Sequence, residues 1–144
     1  MDYARLDPPL RRFCEFYRDF SPAWIPRLGE IYADDFEFRD PFGVIRADLP
    51  RLQAHFEKAI TKLAANQFLV DDACPGQDGA YVRWTWIWRW KASSPEKRVP
   101  GVTWLRFADS GKVRLHQDLF DAAEGFFEVV PVLGGMLRAV KKRL

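Results

Sequence analysis

Leu10, Phe13, Phe16, Tyr17 and Phe20 recur at three- and four-residue intervals directly after Asp7-Pro8-Pro9. This is the spacing of one helix face. The tripeptide before it starts a helix, because aspartate accepts from orphan backbone N–H groups and proline in the first turn forfeits no needed bond. Ser21-Pro22 repeats the signal, and Trp24, Leu28, Ile31 and Tyr32 predict a short second helix. Phe36 and Phe38 then alternate with Glu37 and Arg39, the period of a strand. That strand ends at Asp40-Pro41, since proline lacks a ladder donor. Asp48 opens a third helix with Leu52, Phe56, Ile60 and Leu63 on one face.

From residue 67 the period changes to two. Strands are predicted near 67–74, 80–91, 98–108 and 112–120, divided by turn-forming residues at 76–79, 93–96 and 109–111. Such short turns imply antiparallel hairpins. Segment 121–143 returns to helical spacing through Phe126, Val130, Leu133, Leu137 and Val140, with Pro131 and Gly134-Gly135 placed to kink it. Helices first and strands afterwards predict an α+β fold rather than alternating α/β. The expected architecture is a strongly curved antiparallel sheet shaped as a cone, packed against the N-terminal helices, with an extra C-terminal helix. Alternate strand residues would line its interior, where a small ligand fits.

Composition sharpens this picture. The 144 residues suit one domain spanning 1–144. Twelve Phe, six Trp and four Tyr must line a core, a pocket or an interface. The net charge of +2 comes from a basic helical tail, 121–144: without Arg138, Lys141, Lys142 and Arg143, 18 basic residues face 20 acidic ones. The body therefore lacks the electrostatic footprint of a nucleic-acid binder. Tail cations complement a helix C-terminus, meet an anionic membrane surface, or flank a subunit contact through the apolar stripe. Cys14 and Cys74 are too few for a disulfide framework and read as reduced core thiols. With no secretory leader and no apolar run of membrane-spanning length, a cytoplasmic protein without stable membrane insertion is expected.

No Gly-rich phosphate loop, HExxH helix or GxSxG elbow occurs, and His55 and His116 are the only histidines. Metal, nucleotide and serine-nucleophile chemistry are therefore not expected, and no cofactor is implied. Three features remain. Trp84, Trp86, Trp88 and Trp90 share one face of a strand, as core, as an interface, or as the wall of a pocket for a flat apolar ligand. Asp40 ends its strand between Phe38 and Phe42, either as a general base or as a strand-end cap paired with Arg39 or Arg46. His116 and Asp118 share a face with Arg114 and Phe120, as an acid–base pair or as a solvated edge pair with Arg114.

The run Tyr32-Ala33-Asp34-Asp35-Phe36-Glu37-Phe38-Arg39-Asp40-Pro41-Phe42-Gly43 resembles the NTF2-like superfamily, in particular its SnoaL-like polyketide cyclase and ketosteroid isomerase branches. The likeness extends through Trp104-Leu105-Arg106-Phe107, Asp109 to Val113 and His116-Gln117-Asp118. It implies the cone-shaped barrel with an internal pocket, and a homodimer formed through the outer sheet face. It implies Asp40 as the proton-abstracting base, and His116 with Asp118 as the acid/base of a cyclase, Gln117 standing where the cyclases carry tryptophan. Ungapped counting puts Phe16, beside Tyr17, at the isomerases' oxyanion tyrosine and Thr103 at their second acid. Tyr32, Phe38, Trp84, Trp104 and Phe120 are the candidate pocket walls. Two readings follow: a SnoaL-like protein binding a hydrophobic, carbonyl-bearing molecule and transferring a proton, or a non-catalytic ligand-binding or dimerisation module whose Asp40 and Asp118 pair with arginines.

Overall fold

Two amphipathic helices close the wide side of a curved sheet. In the computed structural model, which describes residues 1–125 together with Gly135, Ala139, Val140 and Lys142, helix α1 (Pro8–Arg18) buries Leu10, Phe13, Cys14, Phe16 and Tyr17. A 3-10 helix (Pro22–Arg27) and a single turn, α2 (Leu28–Ile31), lead into strand β1 (Tyr32–Asp40). Tyr32, expected to end a helix, is thus the first residue of a strand. Ile31 and Tyr32 continue the spacing from Leu28, so the pattern does not show where the period changes.

Strand β2 (Gly43–Arg46) folds back on β1 as a hairpin that the sequence pattern does not announce. Helix α3 (Leu49–Ile60) follows, capped by the Asp48 carboxylate, which accepts from Arg51 N–H at 3.0 Å. It buries Leu52, Phe56 and Ile60, while Leu63 lies beyond its end. The antiparallel strands β3 (Ala65–Gly76), β4 (Gly79–Arg89), β5 (Lys97–Phe107) and β6 (Val113–Phe120) fall within two residues of the predicted ones.

The sheet runs β2-β1-β6-β5-β4-β3, curved and unclosed, with the helices against its concave face. Register shifts in β3, at the β5–β6 edge and in β1 add the local bends that curl it. One pairing departs from the antiparallel expectation: β1 lies parallel to β6.

The tryptophan ladder faces inward. Trp84, Trp86 and Trp88 are buried in the core, and only Trp90, past the end of β4, is exposed. This corrects the reading of the ladder as an outward interface. Cys14 is buried as expected, but Cys74 is exposed on β3, and both are free thiols. A short turn, α4 (Ala122–Gly125), begins the predicted C-terminal helix. Phe126, Val130, Pro131, Leu133, Gly134, Leu137, Arg138, Lys141 and Arg143, on which the rest of that prediction falls, lie outside the described residues. Among the described residues no helix is long and apolar enough to cross a membrane.

Candidate functional site

The parallel pairing of β1 with β6 builds the site. Phe38 lies opposite His116 and Arg39 opposite Gln117, so Phe38 and His116 point inward together, their ring centroids 4.8 Å apart. Two residues further on, strand alternation puts Asp40 and Asp118 on that same face at the same end. The two carboxylates then meet a shared cavity of about 90 Å³, walled by Phe38, Phe42, Phe56, Ala59, Ile60, Phe68, Trp84, Trp86 and Phe120, with His55 beside Asp40. A deeper recess of about 30 Å³, the size of a single water-scale group, continues to Phe13, Tyr17, Val82, Thr103 and His116.

Asp118 is held by one oxygen. Its Oδ1 accepts from His116 Nε2 at 2.8 Å and from the Thr103 hydroxyl at 2.5 Å, while Trp84 Nε1–H donates to Thr103 Oγ1 at 2.8 Å. His116 and Thr103 are each 2% exposed, and the Asp118 side chain is 16% exposed. On the far side of His116, Nδ1 lies 2.6 Å from the Tyr32 hydroxyl, which is 2.6 Å from the Tyr17 hydroxyl.

An ionised Asp118 only accepts, so the donors order themselves toward it. His116 gives its Nε2 proton to Asp118, neutral Nδ1 accepts from Tyr32, and Tyr32 accepts from Tyr17. Tyr32 also stacks on the imidazole, at 9° between planes. Burial raises both phenol pKa values; at Tyr17 the hydrogen bond shared with Tyr32 opposes this and the charge of Asp118 adds to it.

Asp40 is held by both oxygens. Oδ1 accepts from the Phe42 and Gly43 N–H groups at 2.8 and 3.0 Å, pinning the β1–β2 turn, and Oδ2 lies 2.8 Å from His55 Nε2. The Asp40 side chain is 6% exposed and that of His55 28%. His55 Nδ1 has no partner among the described residues. His55 is the residue the motifs missed. Its signal is position: three residues after Leu52 and next to Phe56, it rides the edge of the buried stripe of α3.

The expected arginine partners are engaged elsewhere. Glu37 takes both Arg39 and Arg46, and Arg114 pairs with Asp35. Asp40 and Asp118 therefore pair with histidines, against the expectation of the non-catalytic reading. The structure brings together Asp40, His116, Asp118, Tyr17, Tyr32, Phe38, Trp84, Thr103 and Phe120. It does not bring Trp104: alternation from the inward Thr103 turns that ring to the outer face, where the Arg106 guanidinium lies 5.7 Å over it. Nor does Phe16 sit at the recess. It packs among Phe20 and Trp24, and Tyr17 supplies the hydroxyl. Among the described residues no three His, Cys, Asp or Glu side chains gather as a metal site.

Comparison with known proteins agrees with this architecture. No curated protein matches the chain. A protein from Shewanella putrefaciens CN-32, provisionally named a SnoaL-like polyketide cyclase, superposes with a TM-score of 0.69 at 13% identity, covering 85% of this chain and 86% of its own. TerC, co-crystallised with polyporic acid, gives 0.67 at 16% identity over 81% of this chain and 93% of its own. An NTF2-like protein of unknown function from Burkholderia pseudomallei K96243 gives 0.66 at 18% identity over 83% and 95%. These are likenesses of fold. The family model for the SnoaL-like domain matches residues 11–116, from α1 through β6 as far as His116, and the chain belongs to that family.

Proposed function

We propose that this SnoaL-like protein binds a small hydrophobic molecule bearing a carbonyl group in its cone cavity and moves a proton on it, as an isomerase or cyclase does. The observation that carries this reading is the Asp118 carboxylate: Oδ1 is fixed by His116 and Thr103, while Oδ2 has no protein partner among the described residues and borders an apolar cavity. A carboxylate so placed is oriented yet still able to accept a proton. In this reading Asp118 Oδ2 takes the proton from the carbon next to the carbonyl. The C–H electrons move onto the carbonyl oxygen, and His55, held at Nε2 by Asp40, gives a proton from Nδ1 to the oxygen. Asp40, with both oxygens occupied, positions His55 rather than abstracting the proton itself, which reverses the division of roles the family resemblance implies. The neighbour crystallised with polyporic acid supports a cone that admits small molecules.

The test is deuterium uptake from D2O at the carbon beside the carbonyl of added polycyclic ketones, for the native protein, Asp118→Asn and Asp40→Asn. General acid–base groups contribute roughly 10²–10⁴ in rate, so Asp118→Asn should lose about that factor and Asp40→Asn a smaller one. Equal exchange in all three overturns the catalytic reading and leaves a binding module.

A second copy of the chain is proposed to cover the outer sheet face, where Tyr81 and Leu119 are exposed beside Trp104. Light scattering that returns a monomer mass would refute it. The free thiols of Cys14 and Cys74 fit a reducing, cytoplasmic compartment.

A further inference from the structure

The cavity shares part of its wall with a second space whose chemistry differs from its own. A groove of about 280 Å³ between the β1–β2 hairpin and α3 shares Phe38, Asp40, Phe42 and His55 with the cavity, so the two spaces adjoin. Its hairpin wall is apolar, through Val44 and Ile45. Its helix wall carries Arg51 and Lys58.

Neither cation has a hydrogen-bond or ion-pair partner among the described residues, whereas Arg18, Arg27, Arg39, Arg46 and Arg114 all do. Arg51 and Lys58 stand seven residues apart, two turns along one helix face and about 10 Å along its axis. Between them on that face is Ala54, whose methyl leaves the space open. Two long side chains can converge over it from either end. Asp40 is the only acidic residue among those lining the groove, and its charge is already met by two backbone N–H groups and His55.

We infer that the groove is an anion subsite: the ligand of this protein carries a carboxylate, or an equally acidic group, that lies over Ala54 between Arg51 and Lys58 while its apolar ring enters the cavity past Phe38 and Phe42. The inference rests on the reading of the cavity as a small-molecule site and names the class of ligand it takes. An amphipathic acid gains from both halves, since a charge-assisted contact at the rim adds to apolar burial inside. It also gains orientation: with the acid held at the rim, the ring end is the part that reaches Asp118.

Naphthalene-2-carboxylate and its methyl ester are the probes, titrated calorimetrically into the native protein, into the double variant Arg51→Gln/Lys58→Gln, and into Arg83→Gln, which removes an exposed cation from the outer face. The exposed side chains exchanged here carry no core packing, so the variants fold. The acid should bind the native protein about tenfold more tightly than the ester. The double variant should bind both at the native ester affinity, and Arg83→Gln should keep the preference. Equal binding of acid and ester to the native protein overturns the subsite, as does a preference that survives in the double variant. Acid binding that depends on Arg51 and Lys58 while the ester fails to bind upholds the subsite and counts against the cavity reading alone. Failure of both probes overturns the two together.

Discussion

The indole of Trp84 lies across the α-carbon of Gly101, its cross-strand partner, so closely that a β-carbon there would meet Cη2 at 2.3 Å and Cζ2 at 2.4 Å. Ring and glycine are two halves of one surface: the missing side chain on β5 lets the indole lie flat enough for Nε1 to reach Thr103. Thr103 in turn holds Asp118.

Gly101→Ala should therefore act on the site without touching any polar group. The methyl has nowhere to go but into the ring, so the indole must lift and the bond to Thr103 lengthen or break. Overpacking of this kind costs about 1–3 kcal/mol. Chemical denaturation should show that loss and near-ultraviolet circular dichroism a change in the tryptophan bands. Adding Trp84→Leu should restore part of the stability to the alanine variant. If Gly101→Ala leaves both signals unchanged, the ring does not depend on the glycine.

Tyr32→Phe removes one oxygen but orphans two buried groups. His116 Nδ1 loses its donor and the Tyr17 hydroxyl loses its acceptor, both within the buried core. Leaving buried polar groups unsatisfied costs about 1–3 kcal/mol, and a destabilisation in that range is expected. Tyr17→Phe should cost less, because Tyr32 keeps His116 as its partner. Denaturant midpoints for the two variants give the order directly, and the reverse order would contradict the donor chain toward Asp118.

The same pair gives an alkaline signature. Burial raises the pKa of Tyr17 and of Tyr32 above the ordinary tyrosine value of 10.0. Below that value both states hold these protons and stability is unaffected. Above it the unfolded chain ionises while the folded one does not, so stability falls as pH rises, by about 1.4 kcal/mol per pH unit for each phenol. Titration followed at the phenolate absorbance should show these two tyrosines appearing together with unfolding, not as a step before it.

Much of this architecture is written in local periods, and the site is not. The alternation from Tyr81 to Trp90 announces β4 and which rings share a face, because a strand exposes its period in every residue. Strand β2 is silent: it has four residues, and among them only Ile45 is buried. Asp40 and Asp118 are each visible beside aromatic neighbours, but their meeting depends on β1 lying parallel to β6, a pairing between segments some eighty residues apart that no local pattern encodes. His55 was hidden for a different reason. One histidine at the edge of an apolar helix stripe looks like any core-flanking residue until the Asp40 carboxylate is set against it.

Glu37 supplies the acid limb of stability. It stands on β1 one residue before Phe38 and takes Arg46 Nε at 2.6 Å across the hairpin that carries Asp40, and Arg39 from its own strand. Those two guanidinium groups, Arg46 first, hold its pKa below the ordinary glutamate value of 4.5. Above that value the carboxylate is ionised whether the chain is folded or not, and the bridge contributes in full. As pH drops below it, the unfolded chain takes up the proton first, so stability declines until the folded group is protonated as well. Both arginines are largely exposed, which limits the contribution near neutrality to about 1 kcal/mol or less. Glu37→Gln should accordingly be slightly less stable than the native protein at pH 7, lose less stability between pH 4.5 and the acid transition, and converge with it below that point. Parallel curves across the whole range would show that the bridge does not anchor the β1–β2 hairpin.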